Sequence, residues 1–541
     1  MWRPPPPGGA PALGGARDDS PMADQPAAAQ SLPPLTGGML VVGTITLSLA
    51  TFMNVLDTSI ANVSLPAIAG DLGVSPEQGT WVITSFAVAN AISVPLTGWL
   101  TQRYGQVRLF VSTILLFVLA SLLCGFASSI KMLILFRVIQ GAVAGPMIPL
   151  SQTLLLSSYP KNRAGMALAM WSMTVMLAPV VGPLLGGWIT DNIAWPWIFF
   201  INVPVGLVAA AMTWAIYKKR ESPRVRRPID GVGLGLLVMW VGSMQIMLDK
   251  GKDADWFNSG FIVALAISAA LGFALFLVWE LTDAHPVVDL RLFKRRNFSA
   301  GTLSIMLAYG AYFGSIVLLP LWLQEYMGYT ATQAGMALAP VGILGIILTP
   351  LVGRSTDRVD ARIFATLALA IFAVTFAMRG NFNTQVDLGT VILPTIIQGA
   401  AVSCFFIPLI SLSFSGLRPD QIPAAAGLSN FARISAGAFG TSISTTFWDH
   451  RASLHHAQLV EHITRFDPSA THAIAALQSA GLSLGQVHVL LNRMIDQQAY
   501  TMGATDVFNA AAVLLVVLIP VVWLASSQHH GSGAEIASGA H

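Results

Sequence analysis

Charged residues are scarce in this sequence of 541 amino acids. Asp, Glu, Lys and Arg make up 10% of it, against about 25% in a typical soluble domain. Hydrophobic residues make up 54%. A soluble globule cannot hide that much apolar surface, and a disordered chain needs the opposite balance. The composition therefore excludes both classes and predicts a polytopic membrane protein.

Cysteine and intramembrane histidine are also nearly absent. Cys124 and Cys404 both lie in apolar segments without a CxxC pattern, so a disulfide framework is excluded. No cluster of His, Asp and Glu lies within an apolar segment, so we expect no metal site and no cofactor. The net charge of +3 comes without a basic stripe, which argues against nucleic-acid binding.

Long apolar runs alternate with short polar breaks after residue 37. Fourteen runs are each near the ~20 residues that span ~30 Å of hydrocarbon, and we predict an all-α membrane protein with fourteen transmembrane helices. The predicted spans are 39–62, 79–100, 107–127, 131–155, 164–189, 197–217, 231–248, 260–282, 299–324, 332–352, 361–379, 386–413, 422–447 and 504–526.

Two stretches of sequence recur in the second half of the chain. GWLTQRYGQVR (98–108) resembles GRSTDRVDAR (353–362), and IQGAVAGPMIPL (139–150) resembles IQGAAVSCFFIPL (397–409). These repeats predict two six-helix halves with two helices inserted between them, the plan of many secondary transporters. The predicted units are a disordered cytoplasmic tail (1–37), a six-helix bundle (38–217), a linker with two helices (218–298), a second bundle (299–526) and a cytoplasmic tail (527–541).

The distribution of positive charge predicts the orientation. With a cytoplasmic N-terminus, 20 of the 29 Lys and Arg residues fall on the cytoplasmic side, and the short loops alone divide 18 to 4. The positive-inside rule therefore supports fourteen spans with both termini in the cytoplasm. In this assignment Lys250 and Arg379 lie outside the membrane on the outer side, and Glu280, Glu325 and Asp506 lie near span ends where they reach water.

Asp57 is the only acidic residue well inside a predicted span, and Arg137 and Arg433 are the only deep cations. Asp57 and Arg137 both fall roughly 8–9 Å below the outer boundary, at ~1.5 Å per residue. They are therefore positioned to pair, directly or through water. Burial favours the neutral acid and a nearby arginine favours the carboxylate, so a change in either would move a proton. The alternative is a static pair that fixes helix packing.

Arg433 lies near the midplane of span thirteen, where no acid of the second half is available to pair with it. Such a cation either attracts anionic substrates and partners a polar pocket, or bonds to backbone carbonyls and snorkels along a water-filled cavity. The sequence leaves the two alternatives equal.

Several motifs resemble those of the fourteen-helix drug:proton antiporters of the major facilitator superfamily. They are LDTSIANVSLP (56–66), GWLTQRYGQVR (98–108), FRVIQG (136–141), APVVGPLLGGWI (178–189) and WPWIFFINVPVG (195–206). The resemblance covers about residues 39–526 and is closest to the EmrB branch, the inner-membrane pumps of tripartite efflux systems. WVITSFAVANAISVPLTGWL (81–100), LSNFARISAGAFGTSI (428–443) and WDHRASLHHAQL (448–459) resemble that branch.

The resemblance implies proton-coupled export of hydrophobic toxic compounds by alternating access across a bacterial inner membrane. The implied partners are an EmrA-like periplasmic adaptor and a TolC-like outer-membrane channel. It implies proton coupling by Asp57 and Arg137. The implied gating residues are Gly98, Arg103, Gly105, Arg108, Pro179, Gly182, Pro183, Gly186, Gly187, Asp357 and Arg358. The helix-five glycines among these allow close helix approach, either to form a dry seal between the two halves or for tight packing without a gating role.

A substrate pocket for bulky, variable ligands is expected to be rich in aromatic residues and methionine. For any single member, ordinary helix packing is as good an interpretation as ligand contact. The candidates are Met53, Asn54, Phe86, Asn90, Gln140, Trp171, Tyr309, Tyr312, Phe313, Phe405, Phe406 and Arg433.

The predicted outer segment 448–503 is unusually long for a loop. Val487, Leu490, Leu491, Met494 and Ile495 follow a helical period after a possible cap at Ser483, which predicts an amphipathic helix. Its apolar stripe either docks a partner or packs on its own loop or on the membrane surface. Three of the histidines of this segment (455, 456 and 462) are expected to be solvated rather than metal-bound.

Two other functions remain as alternatives. A facilitator or importer of a nutrient shares the fold, but the antiporter-like motif of helix five argues against it. A membrane enzyme such as an acyltransferase belongs to another class, and the absence of intramembrane histidine and paired carboxylates argues against it.

Overall fold

The computed structural model describes residues 2, 33–160, 163–224, 230–283, 286–356, 359–461, 463 and 467–526. The described residues from 34 to 526 form one compact unit. Within the described residues all regular structure is helical, as the composition predicts, and no strand occurs.

The helices follow one another with short connections. They are α1 Gly37–Asp71, α2 Pro76–Gly79, α3 Trp81–Ser93, α4 Thr97–Tyr104, α5 Gln106–Gly125, α6 Ile130–Ala144, α7 Met147–Ser158, α8 Ala164–Asn192, α9 Trp197–Phe200, α10 Asn202–Tyr217, α11 Gly231–Lys250, α12 Gly260–Thr282, α13 Arg296–Glu325, α14 Ala331–Leu338, α15 Val341–Thr356, α16 Ala361–Arg379, α17 Leu388–Phe414, α18 Ile422–Glu461, α19 Pro468–Ser479 and α20 Leu484–Trp523.

Side-chain caps fix where several helices begin. Asp230 and Asp387 each accept hydrogen bonds from two backbone amides in the first turns of α11 and α17. Thr330 and Ser483 form capping boxes at the starts of α14 and α20. The cap predicted at Ser483 is therefore confirmed, and these bonds satisfy amide groups that a helix start leaves without partners.

Twelve stretches of the described helices are long and apolar enough to cross a membrane. Two predicted spans, 164–189 and 422–447, are helical but are not among these twelve. The second lies in α18, which carries Ser429, Asn430, Arg433 and Ser435. The first lies in α8, where Ala164–Val175 is apolar. The count of fourteen therefore stays a prediction.

Helices α1 to α10 are called the first bundle below, and helices α13 to α20 are called the second bundle; one helix of each packs on three others. In the first bundle α1 packs on α7, α8 and α10, and in the second α13 packs on α17, α18 and α20. Helix α11 lies against α3 and α18, and α12 packs mainly on α11. Trp240 of α11 contacts Phe431 of α18 with ring centroids 5.7 Å apart.

The two ends of the molecule differ in shape. At the terminal end, defined by residues 34–36 and 524–526, the amide of Leu35 donates to the carbonyl of Ser158. At the opposite end, α18 continues unbroken to residue 461 and α20 begins already at residue 484, with α19 between them. We call residues 448–503 the helical hairpin. The predicted loop is thus mostly helix, and its amphipathic helix is continuous with the last predicted span.

Candidate functional site

A fully buried ion pair links α1 to α6. Arg137 Nη1 donates to Asp57 Oδ2 at 2.5 Å, and neither side chain is exposed. The residues were expected to pair directly or through water, and the direct pairing is confirmed. Since both lie within long apolar helices, the pair joins the helices at a point where water reaches neither charge.

Two amide side chains complete the environment of the carboxylate. Asp57 Oδ1 accepts from Gln140 Nε2 at 3.1 Å and from Asn202 Nδ2 at 2.9 Å. Gln140 Oε1 accepts from Arg137 Nη1 at 2.8 Å, and Asn202 also donates to Ser121 Oγ at 3.0 Å. Both carboxylate oxygens therefore have donors, which a buried ion pair needs to offset its loss of hydration. Asp57, Arg137, Gln140 and Asn202 are called the Asp57 site below.

Several groups besides the carboxylate of Asp57 hold the side chain of Arg137 in place. Its Nε donates to the carbonyl of Val82 at 3.1 Å. Its guanidinium lies 4.2 Å from the ring centroid of Phe86 and 5.6 Å from that of Phe199, which are favourable distances for a cation over an aromatic face. Its Nη2 is buried and finds no hydrogen-bond partner among the described residues. These contacts keep the guanidinium in place independently of the charge on Asp57.

Arg433 lies on α18 and is almost fully buried. Its Nη2 donates to Asn430 Oδ1 at 3.1 Å, and its guanidinium lies 4.9 Å from the ring centroid of Tyr309. Asn430 Nδ2 in turn donates to Gln152 Oε1 of α7 at 3.0 Å, which connects the second bundle to the first. Of the two alternatives, the geometry shows a polar partner for Arg433 rather than backbone carbonyls.

The pocket candidates of the second bundle form one aromatic cluster. Tyr309 contacts Tyr312, Phe313 and Phe406 at centroid distances of 6.3, 5.5 and 6.0 Å. Phe405 lies 5.0 Å from Phe406. The guanidinium of Arg433 lies over the ring of Tyr309, so a positive charge lies at one side of this otherwise apolar cluster.

The first-bundle candidates are more dispersed. Met53 is buried beside Gly206 of α10, and Asn54 Nδ2 donates to the carbonyl of Ala144 at 3.1 Å. Within the described part of the chain, Asn90 Oδ1 and Trp171 Nε1 are buried without a hydrogen-bond partner. Of the remaining candidates, Gln140 belongs to the Asp57 site, and Phe86 packs its ring against Arg137 of that site.

The two bundles meet closely at two glycines near the terminal end. A Cβ at Gly98 would lie 2.7 Å from the Cβ of Ala424, and one at Gly353 would lie 2.8 Å from the Cβ of Ala169. Contacts this short do not occur between real Cβ atoms, so a larger residue requires the bundles to separate. Gly98 and Gly353 occupy corresponding places in the repeated loop motif.

The rest of the first loop motif is anchored locally. Gly105 has φ of +86°, which favours glycine, and the amides of Val107 and Arg108 donate to the carboxylate of Glu221 at 2.9 and 3.0 Å. The guanidinium of Arg103 lies 5.5 Å from the ring centroid of Trp99. The gating candidates Asp357 and Arg358 lie outside the described residues.

The glycines of the helix-five motif, which lie in α8, do not form the contact between the two halves that the dry-seal alternative requires. A Cβ at Gly182 would clash with Ser59 Oγ, and one at Gly186 would lie 2.8 Å from the Ile60 side chain, so both pack on α1 within the first bundle. A Cβ at Gly187 would meet only Val63, at 3.9 Å. The close contact lies within one half, because α8 runs beside α1. The side chains of Pro179 and Pro183 lie outside the description.

Three charged side chains expected near water are buried instead. Arg379 is 1% exposed, Glu280 is 0% exposed and Lys250 is 9% exposed. All three stand in the last turn of a helix. Side chains in a helix lean toward its N-terminus, so a last-turn residue reaches back into the bundle. Arg379 is therefore a third deep cation, which the sequence analysis missed.

Two histidines of the helical hairpin, His455 and His456, are bonded to carboxylates rather than solvated. His455 Nε2 and Arg451 Nε lie 2.8 and 2.6 Å from Asp506 Oδ2, and His456 Nδ1 lies 2.8 Å from Asp496 Oδ1. These contacts tie α18 to α20. His462 lies outside the described residues.

Residues 47–441 match the family model of the Major Facilitator Superfamily. The chain belongs to this superfamily. It is therefore a multi-pass membrane transporter and not an enzyme. The multidrug export protein EmrB of Escherichia coli K12 is 51% identical over 513 residues, 95% of this chain and 100% of the relative. The fatty acid resistance protein FarB of Neisseria gonorrhoeae is 48% identical over 501 residues, 93% of this chain and 99% of the relative.

Solved structures of the superfamily share the fold at low sequence identity. The human organic anion transporter MFSD10 has a TM-score of 0.57 at 12% identity and covers 89% of this chain and 99% of its own. The proton:xylose symporter XylE has a TM-score of 0.55 at 12% identity, with coverage of 90% and 95%. At these identities the likeness concerns the fold alone.

Asn202 contacts Asp57 and Ser121 contacts Asn202, and neither residue was predicted from the sequence. Asn202 stands inside the quoted motif WPWIFFINVPVG and is the one polar side chain in it apart from the indoles, which was a usable signal. Ser121 offered none, since small hydroxyl residues are common in membrane helices.

Proposed function

We propose that this chain is the inner-membrane pump of a tripartite efflux system and exports hydrophobic compounds in exchange for protons. The observation that carries the proposal is the Asp57 site, in which a buried carboxylate shares one arginine and two amides. The identity to EmrB supports multidrug export, and the name of FarB supports amphiphilic substrates.

Proton coupling follows from the contacts of Asp57. A proton on the carboxylate removes its charge and so weakens its bond to Arg137, while Val82 and Phe86 still hold the guanidinium. The helices α1, α6 and α10, which meet at this carboxylate, are then released from one another. One pH unit supplies ~1.4 kcal/mol and 100 mV supplies ~2.3 kcal/mol per charge.

We propose that fourteen helices cross the membrane, with the terminal end in the cytoplasm. The two helices α8 and α18 join the twelve apolar stretches, and α11 and α12 are the inserted pair. The excess of Lys and Arg in the terminal-end loops supports this orientation. The contacts at Gly98 and Gly353 then close the cytoplasmic side.

Substrate-dependent proton flux tests the function directly. Purified protein in liposomes with an imposed pH gradient should release protons only when an exported compound is added from a panel of hydrophobic acids, neutral compounds and cations. Transport of a compound without proton movement would assign the chain to a facilitator instead.

Arg433→Gln is expected to weaken export of anionic compounds by about tenfold relative to matched cations, since a buried cation favours anions and ~1.4 kcal/mol is a factor of ten. Initial rates in liposomes measure the ratio. Arg418→Gln serves as the control because Arg418 is exposed and pairs with Asp420 at the surface. An equal loss for both classes of compound indicates that Arg433 only supports packing through Asn430.

We propose that the helical hairpin docks a periplasmic adaptor, which in turn contacts an outer-membrane channel. Of the predicted stripe, Val487 is fully buried, Leu491 and Ile495 are half-buried, and Leu490 and Met494 are exposed. Val489 is also exposed, at 71%. The stripe therefore packs on its own hairpin along one edge and leaves the other edge apolar and uncovered.

Met494→Glu is expected to reduce co-purification of the pump with its adaptor at least tenfold, because a charge placed in an apolar contact must be desolvated. His488→Glu adds the same charge at an exposed position on the same helix and is the control. Pull-down from membranes that contain both proteins measures the effect. Proton-coupled transport by the pump alone should persist; undiminished adaptor binding by Met494→Glu contradicts docking at this edge.

A further inference from the structure

The second bundle contains a polar cluster that corresponds to the Asp57 site. Arg379 of α16 donates from Nη1 to Ser315 Oγ at 2.9 Å, and from Nη2 to Thr395 Oγ1 at 3.1 Å and Gln398 Oε1 at 2.9 Å. We call these four residues the Arg379 site. Gln398 occupies the place in IQGAAVSCFFIPL that Gln140 occupies in IQGAVAGPMIPL, so the two sites share a position in the repeat.

The two sites differ in net charge. In the first bundle, the carboxylate of Asp57 on α1 neutralises Arg137. In the second bundle, α13 presents the hydroxyl of Ser315 to the arginine, and every recorded side-chain partner of Arg379 is uncharged. Among the described residues no carboxylate lies within ion-pair distance of its guanidinium. The Arg379 site therefore holds one positive charge without a counter-charge from the described part of the protein.

Several donors at this site also have no acceptor. Arg379 Nε and Gln398 Nε2 are buried and have no hydrogen-bond partner among the residues that the structure describes; the two residues are 1% and 3% exposed. Ser315 Oγ accepts one bond from the arginine and retains its own hydrogen. Buried donors without acceptors are rare in folded proteins, and a buried charge without a partner is costlier still. Both deficits are removed by one negatively charged acceptor.

We propose that the Arg379 site binds a monovalent anion, either a halide ion or the carboxylate group of an exported compound. Such an anion accepts from Arg379 Nε, from the Gln398 amide and from the Ser315 hydroxyl, and it supplies the charge that Asp57 supplies in the first bundle. Binding of the carboxylate of an exported compound rests on the proposed export function, whereas binding of a halide ion does not.

The surroundings suit both sources. An outer hollow of about 400 Å³ is lined by Met378 and Asn381, which flank Arg379 closely in the chain, and by polar Asn383 and Gln385. Tyr312 of the aromatic cluster precedes Ser315 by about one turn of α13, and its ring centroid lies 5.3 Å from that of Phe372 and 6.3 Å from that of Tyr309. A carboxylate at Arg379 places its apolar body on these rings.

Direct binding of radiolabelled chloride and of radiolabelled benzoate to the purified full-length protein tests the proposal. We expect saturable binding of one anion per chain, weakened at least tenfold in Arg379→Gln. Arg362→Gln alters an arginine on the same helix that already pairs with Asp360, and it should bind as the wild type does. Asp57→Asn should also retain binding, which separates this proposal from the proposed proton coupling.

Two further variants keep the test decisive if Arg379→Gln does not fold. Ser315→Asp places a carboxylate beside the guanidinium, as in the first bundle, and should abolish anion binding while preserving the fold. Gln398→Leu removes one donor and should weaken binding. Chloride binding identifies the small-ion source, and benzoate binding that chloride does not displace identifies the carboxylate source. Absence of saturable binding of either anion, or binding unchanged in both Arg379→Gln and Ser315→Asp, overturns the proposal.

Discussion

Asp57→Asn is expected to reduce pH-driven export to the level of protein-free liposomes while the protein still binds its substrates. Asparagine has the shape of a protonated aspartic acid and cannot lose a proton, so the bond to Arg137 stays in its weakened form throughout the cycle. Uptake of a labelled compound into inverted liposomes under an imposed pH gradient measures transport, and equilibrium binding measures affinity.

The fold should survive this change at reduced stability. Removing one partner of a buried ion pair typically costs about 3–5 kcal/mol, but Val82 and Phe86 continue to hold Arg137. Asp71→Asn is the matched control, because Asp71 ends the same helix and accepts a hydrogen bond from Trp195 Nε1 at 2.8 Å. pH-driven transport by Asp57→Asn at the wild-type rate removes Asp57 from the coupling role and leaves a static pair.

Gly98→Val and Gly353→Val are expected to prevent the two bundles from closing at the terminal end and to lower export at least tenfold. A Cβ at either position already lies within 2.8 Å of an alanine Cβ on the facing helix, and valine adds two methyl groups there. Overpacking of this kind costs about 1–3 kcal/mol in a closed interface, so the equilibrium shifts toward the form in which the bundles are apart.

Accessibility of single cysteines near the terminal end, measured with a membrane-impermeant reagent, reports this shift. Labelling should rise in both variants. Gly187→Val is the control, since a Cβ at Gly187 meets only Val63 at 3.9 Å and lies away from the contact between bundles. Wild-type labelling and wild-type export in both variants indicate that these glycines have no part in closing the terminal end.

The depth of charged residues was predictable from the sequence where they stand in the middle of a helix. Asp57 and Arg137 lie in separate helices, yet a rise of ~1.5 Å per residue was enough to place them at one level. The prediction could not extend to Asn202, because which residues of two helices face each other depends on rotation about their axes. That rotation is set by packing, such as the contact of Gly182 with Ser59.

Depth was not predictable at helix ends. Arg379, Glu280 and Lys250 lie at the polar ends of apolar runs. A count of residues from the middle of the membrane therefore assigned them to the water on either side. The direction of the side chain decides the outcome instead, and it points back along the helix into the bundle. The extent of α18 and α20 was underestimated for a related reason. Polar residues such as Asp449 and Asp496 end an apolar run without ending the helix, because their carboxylates find partners in Lys252 and His456.

Because α18 and α20 are long, a small rotation of the second bundle moves the helical hairpin by a larger distance. At ~1.5 Å per residue, 40 residues measure about 60 Å, twice the ~30 Å of the hydrocarbon core, and both α18 and α20 have that length. Each runs without a break from the second bundle to the hairpin, which salt bridges such as Arg451–Asp506 keep together. A rigid rotation of that bundle by about 10°, within the range of known domain motions, therefore swings a tip about 30 Å from the pivot through about 5 Å. A protein bound to the hairpin would therefore be displaced in each half of the transport cycle.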